Sequence, residues 1–184
     1  MPRTRSNLDR DTKIDQILAV AEQQLLEGGY GNLSLAAIAR TLGIRQGSIY
    51  WYFPSKDHLL VAAIERTLVA LAAHKPSGEG LVTEILWAVE QLEQFQSLRV
   101  AVHERARSAP VVADFERRFR ALLETMLTGA LRPHMSAADL DLAADAFLAI
   151  VEGVLLQRIE PSRRTRVLTF ALERLIDARP LRDD

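Results

Sequence analysis

Ile14, Ile17, Leu18, Ala21 and Leu25 recur at the spacing of one helical face. Most of the chain repeats that period of about 3.6 residues. Gly28 and Gly29 should end the first helix, because glycine takes the left-handed cap conformation at no steric cost. Ser34 suits the N-cap of a short second helix, with Leu33 and Ile38 spaced as a hydrophobic staple; Gly43 stops it. A third short helix is predicted over about 46–52. Pro54 and Ser55 separate it from a fourth, which has Ser55 as N-cap and Asp57 in its first turn and runs to about His74.

The stretch 75–80 is the clearest linker in the chain. Helices are then predicted over 81–97, 98–108 and 111–131, the last with Val112, Phe115, Phe119, Leu122, Leu123, Met126 and Ala130 facing inward. Ser136 and Asp139 form a variant capping box before a helix reaching about Arg158, and Glu160-Pro161-Ser162 opens the last, to about Ala178. No strand or hairpin signal and no internal repeat interrupts the series. The expected fold class is all-α, with about nine helices.

With 48% hydrophobic residues the chain can build a core. It contains no cysteine, which excludes disulfides and thiolate zinc sites and is consistent with a reducing compartment. The first ten residues lack the apolar run of a signal peptide, and no apolar run is long enough to span a bilayer, so a cytoplasmic location without membrane contact is expected. Net charge is −1, but its distribution is uneven. Residues 1–8 hold Arg3 and Arg5 and no acid; residues 40–56 hold Arg40, Arg45 and Lys56 and no acid; residues 61–184 hold 16 basic and 18 acidic side chains. Uncompensated positive charge in two short stretches is what phosphate attraction needs, although a chance gap in the acids would look the same.

Two short helices joined through Leu42-Gly43-Ile44 satisfy the needs of a helix-turn-helix. The glycine permits the turn, while Ala39, Leu42, Ile44 and Ile49 set the angle. The second helix surrounds Ile49 with Arg45, Gln46, Ser48, Tyr50, Trp51 and Tyr52. Arginine and glutamine can pair bidentately with guanine and adenine edges in a major groove. Residues 14–64 resemble the DNA-binding domain of the tetracycline-repressor family of bacterial regulators. The matching positions are Ile17-Leu18, Ala21, Gly29-Tyr30, Ser34, Ile38-Ala39, Leu42-Gly43-Ile44, Gly47-Ser48-Ile49-Tyr50, Tyr52-Phe53, Ser55-Lys56 and Leu59-Leu60, with the signature Tyr50-x-x-Phe53-x-Ser55-Lys56 just after the reading helix.

The resemblance implies double-stranded DNA as partner and two domains: an arm and helix-turn-helix over 1–56, and a ligand-binding and dimerisation domain over 57–184. It places Gln46, Gly47, Ser48 and Tyr50 at base edges, and Ser34, Trp51, Tyr52 and Lys56 near the phosphate backbone. Arg45 departs from the family, which usually has a small capping residue there; it reads as a compensating DNA contact or as a surface arginine. Ala36 and Ala37 leave base reading to 45–51. Arg3 and Arg5 are an arm along the DNA or a plain tail. Phe53 is expected in the core, and Tyr50 to pack its ring and present its hydroxyl.

The last two helices carry apolar residues on more than one face, so a second copy is expected to cover them, giving a homodimer through 139–178. Family resemblance implies the same seam, two reading helices presented to a near-palindrome, and an effector pocket within 81–158. Candidate lining residues for an unknown small-molecule effector are Trp87, Phe95, His103, Phe115, Phe119, Met126, Phe147 and Glu152, most of which also fit plain core. Glu152, in the most apolar helix, is expected to be a buried acid needing a cationic partner. No phosphate-binding glycine loop, nucleophile elbow or His-x-x-x-His pair occurs, so no catalytic, metal or cofactor site is assigned. The alternatives are an enzyme, against which the lack of those motifs argues, and a helical small-molecule-binding or interaction protein without DNA-linked function, against which the acid-free stretch 40–56 argues.

Overall fold

The computed structural model describes residues 5–76, 78, 80–157 and 159–177, except the side chains of 5–8 and 96. The arm expected at Arg3, and the side chain of Arg5, lie outside the described residues. Among the described residues there are nine helices and no strand: α1 (Arg5–Asn32), α2 (Leu35–Thr41), α3 (Gln46–Tyr50), α4 (Lys56–Ala72), α5 (Leu81–Gln94), α6 (Gln96–Ala106), α7 (Pro110–Leu131), α8 (Leu140–Leu156) and α9 (Pro161–Ile176). They form two compact units. The first draws on Met1–His74 and Ser97–Glu116, the second on Lys75–Gln96 and Arg117–Asp184. Compactness thus groups α4 and α6 with the reading helices, whereas the 56/57 boundary follows the motif.

In the first unit α1 packs on α4 and α2, and α2 on α3. Ile17, Leu18, Ala21 and Leu25 of α1 are buried, as are Leu59, Leu60, Val61 and Ala63 of α4. Arg66 of α4 fastens the pair: its Nε and Nη2 donate to the two carboxylate oxygens of Glu22 at 2.8 and 2.6 Å, and its Nη1 to the Asp15 carbonyl at 2.9 Å. Gly28 and Gly29 leave helical geometry, Gly29 with φ +65°, and a last turn follows them to Asn32. The first helix therefore ends at the glycine pair, as expected, and the residues to Asn32 are a separate short turn.

Local chemistry sets the ends of α2. The Ser34 hydroxyl accepts from the Ala37 N–H at 3.3 Å, and the staple residues Leu33 and Ile38 are buried. At the other end Ile44 N–H donates to the Ala39 carbonyl at 3.0 Å and Gly43 N–H to that of Arg40 at 3.2 Å, with Gly43 at φ +63°. Those two bonds are a Schellman motif, and they make the turn of the helix-turn-helix.

The core of the second unit comprises Val89, Leu127, Leu131, Leu140, Ala143, Ala144, Phe147, Val151, Val154, Leu155, Leu168 and Leu172. Buried Arg164 of α9 pairs with Glu93 of α5, so this buried charge has its countercharge. Glu160 caps α9 by accepting from the Arg163 N–H at 3.1 Å. The Ser136 hydroxyl accepts from the Asp139 N–H at 3.3 Å and donates to its carboxylate at 2.6 Å, but in a turn that precedes α8.

Two expectations are corrected. Leu122 and Met126 do not face inward; they are 50% and 49% exposed. A single stripe along α7 would bury them, but α7 serves two cores: Val112 and Phe115 in the first unit, Leu127 and Leu131 in the second. Leu122 and Met126 each precede a residue of the ladder Leu123, Leu127, Leu131 by one position, a rotation of about 100° away from it. Glu152 is not buried either. It is exposed and lies 3.6 Å from Arg120 of α7, because the apolar residues of α8 are covered on one side only and Glu152 is on the other.

Candidate nucleic-acid interface

The third helix is anchored by one residue. Ile49 is fully buried, whereas Arg45, Gln46, Gly47, Ser48, Tyr50 and Trp51 are exposed, Trp51 at 88%. Phe53 closes the core behind α3 at 7% exposure, Tyr52 is half-buried, and the N–H groups of both return to the Ile49 carbonyl at 2.9 Å. Arg45 sits at the N-cap position of α3 with no side-chain cap bond. The α3 surface therefore presents a cation, an amide and hydroxyls, and no acid. Tyr50 keeps about half its surface, as expected of an amphipathic aromatic.

Beside this surface α4 starts at Lys56. The Ser55 hydroxyl accepts from the His58 N–H at 3.3 Å, capping the helix. The Lys56 ammonium lies 4.2 Å from the centre of the Tyr30 ring, a cation–π contact. Partial burial, reinforced by nearby Arg105, draws its pKa below the ordinary lysine value, against the pull of Asp57. Tyr30 donates its hydroxyl to Asp57 Oδ1 at 2.8 Å. Arg105 of α6 grips the same carboxylate with two parallel bonds, Nε to Oδ1 at 2.9 Å and Nη2 to Oδ2 at 2.6 Å. Hydrogen bonds from Arg105 hold the Asp57 carboxyl below its usual range, with the Tyr30 bond adding and burial opposing. Burial, then the bond to Asp57, pushes the Tyr30 hydroxyl up.

The structure thus brings Ser34, Arg45, Gln46, Gly47, Ser48, Tyr50, Trp51, Tyr52 and Lys56 into one compact unit. Sequence inspection misses Arg105, which is 48 positions from its partner Asp57. It gives Asp57 only a helix-dipole role, and Tyr30 a place in the motif without a task.

The effector candidates divide between the units. His103 and Phe115 belong to the first. His103 is exposed, its Nδ1 3.1 Å from Glu116, and Phe115 is core. The second holds Trp87, Phe95 and Phe119, all half-buried, together with buried Phe147, half-exposed Met126 and exposed Glu152. Among the described residues no group of three or more His, Cys, Asp or Glu is placed to hold a metal ion, and no helix is long and apolar enough to cross a membrane.

A short helix presenting polar side chains around one buried anchor, set by a glycine turn against a supporting helix, defines a helix-turn-helix DNA-binding regulator. Residues 17–63 match the family model described as bacterial regulatory proteins, tetR family. The HTH-type transcriptional repressor NemR of Escherichia coli (strain K12) is 28% identical over 94% of this chain and 79% of its own length. The HTH-type transcriptional repressor KstR of Mycolicibacterium smegmatis is 42% identical over 53 residues, 29% of this chain and 24% of its own. A solved transcriptional regulator from Rhodococcus sp. Rha1 has the same fold, with TM-score 0.71 and 20% identity over 91% of this chain and 99% of that one. Residues 17–63 thus match the DNA-binding domain of the tetR family, and the chain as a whole is similar to repressors that carry it.

Proposed function

We propose that the chain is a repressor that binds a near-palindromic operator as a homodimer and is released by a small molecule. The observation that carries this reading is the exposed, acid-free surface of α3 around a single buried anchor. In it Arg45, Gln46, Gly47, Ser48 and Tyr50 read base edges, while Ser34, Trp51, Tyr52 and Lys56 fix the register on phosphates. Lys56 and the N–H groups at the start of α4 attract the same anion.

Dimerisation rests on the second unit. Leu142, Ala146, Ala149 and Leu156 of α8 form an exposed stripe with half-buried Gly153, and Phe170 of α9 is 61% exposed. Nothing lies within 4 Å of where a Cβ on Gly153 would be, which leaves room for a partner helix. Apolar surface of this kind is removed from water by a second copy. Two-fold symmetry then sets the half-sites about 34 Å, or a multiple of that, apart.

The effector binds within 81–158, where Trp87, Phe95, His103, Phe115, Phe119, Met126, Phe147 and Glu152 are the candidate lining residues. It releases DNA by favouring one spacing of the two readers over the other, which requires unequal affinity for the two states. The role is regulatory rather than catalytic, and its place is with the DNA in the cytoplasm.

A gel-shift against duplexes taken from the DNA flanking the chain's own gene tests the reading. One duplex is retained at concentrations that leave unrelated DNA free, and its footprint shows two symmetric half-sites. Arg45→Ala and Gln46→Ala each relax preference at one base pair, by about 1–3 kcal/mol. Lys56→Ala weakens all duplexes alike. Unchanged preference in both Arg45→Ala and Gln46→Ala would overturn the assignment of α3 as the reader.

A further inference from the structure

Asp57 presents a difficulty for DNA binding. It lies next to Lys56 in the first turn of α4, where an ionised carboxylate would repel a phosphate and offer Lys56 a competing partner. Both of its oxygens are nevertheless bonded elsewhere. Arg105 takes both, at 2.9 and 2.6 Å, and Tyr30 adds a third bond at 2.8 Å. The side chain of Asp57 keeps only 13% of its surface. Lys56 makes no ion pair among the described residues; its ammonium rests on the face of Tyr30 at 4.2 Å. The Arg105 guanidinium lies 5.6 Å from the centre of that ring, so one aromatic side chain is in reach of both cations.

We propose that Arg105 is a positioning residue for DNA binding: by neutralising Asp57 and fixing Tyr30, it leaves the charge of Lys56 available to a backbone phosphate. The proposal rests on the DNA-binding reading above. Arg105 belongs to α6, outside the helix-turn-helix, and does not itself need to touch DNA. Its fork is specific to arginine, because a planar guanidinium matches both oxygens of a carboxylate and an ammonium matches one. When the fork opens, Asp57 regains an uncompensated charge beside Lys56, and the local field at the phosphate site falls by one positive charge.

The test compares wild type with Arg105→Gln, Arg105→Lys, Asp57→Asn and the double variant Arg105→Gln/Asp57→Asn. Affinity for a mixed-sequence duplex and for the flanking-DNA duplex is measured by fluorescence anisotropy from low to moderate salt, after circular dichroism and melting show each variant folded. Arg105→Gln should bind both duplexes about tenfold more weakly, with a salt dependence shallower by about one phosphate contact. Arg105→Lys should fall between it and wild type. The decisive variant is the double one, which removes the competing carboxylate and should recover most of the loss. A purely architectural Arg105 predicts the opposite, a double variant at least as weak as Arg105→Gln. Binding by Arg105→Gln within twofold of wild type, or failure of the double variant to recover, overturns the proposal while leaving the DNA reading intact. Should Arg105→Gln not fold, Arg105→Lys compared with its own Asp57→Asn double variant distinguishes the same two outcomes. Absence of binding by wild type to either duplex overturns the DNA reading and this proposal with it.

Discussion

Arg45 begins α3 without a side-chain cap, a position where serine, threonine or aspartate would satisfy a free N–H. Arg45→Ser should therefore raise stability by about 1 kcal/mol and at the same time weaken operator binding. Urea unfolding and gel-shift midpoints on the same preparation check the two opposite signs. Asp57 allows a pH prediction. Its carboxyl titrates lower in the folded chain than in an unfolded one, chiefly through its bonds from Arg105. The folded state is thus favoured while Asp57 is ionised: the contribution is complete above the unfolded value near ~4 and disappears as pH falls through the lower folded value. Asp57→Asn should cost about 1 kcal/mol at neutral pH and make the loss of stability below about pH 4 shallower. Urea midpoints measured across that range decide it. The caps at Ser34 and Ser55, and the missing one at Arg45, are legible in the chain, because a cap is a bond between residues three apart.

Helix α2 and its turn depend on Gly43, which has φ +63° and open space for at least 4 Å around the place a Cβ would take. Strain rather than crowding is what a substitution meets there. Gly43→Ala should lower stability by about 1 kcal/mol, and tilt or fray α3 enough to weaken DNA binding. Thermal unfolding together with gel-shift measures both effects. For α7 the inward face is not legible over its full length. Periodicity reports which residues of a helix are apolar, and it assigns them one common face. It does not report that the two ends of α7 serve different cores, so it puts Leu122 and Met126 inside when they are half-exposed.

The exposed residues of α8 and α9 carry the prediction for the assembled protein. Phe170 is 61% exposed in the single chain, with the Arg174 guanidinium 5.4 Å from its ring centre. Phe170→Glu should leave the helical content of the chain intact, convert a dimer to monomers, and weaken operator binding by at least about tenfold, since each half-site is then held alone. Sedimentation velocity and gel-shift read the two effects. A chain that is monomeric before the substitution would remove the two-fold operator from the proposed function. Here too the apolar surplus of the last two helices is visible in the residue pattern, whereas the side of each helix left uncovered is not.

Residue order alone determined the helical class, the caps at Ser34 and Ser55, the glycine turn and the polar surface around Ile49. Each of these depends on neighbours within one or two turns of chain, and local hydrogen bonding and burial need nothing more distant. Tertiary structure decided which faces of α7 and α8 are covered, that Glu152 is exposed beside Arg120, and that Arg105 closes on Asp57 alongside Tyr30. Those contacts join residues 27 to 48 positions apart. No periodicity records such pairings, because the chain must fold before the charges meet.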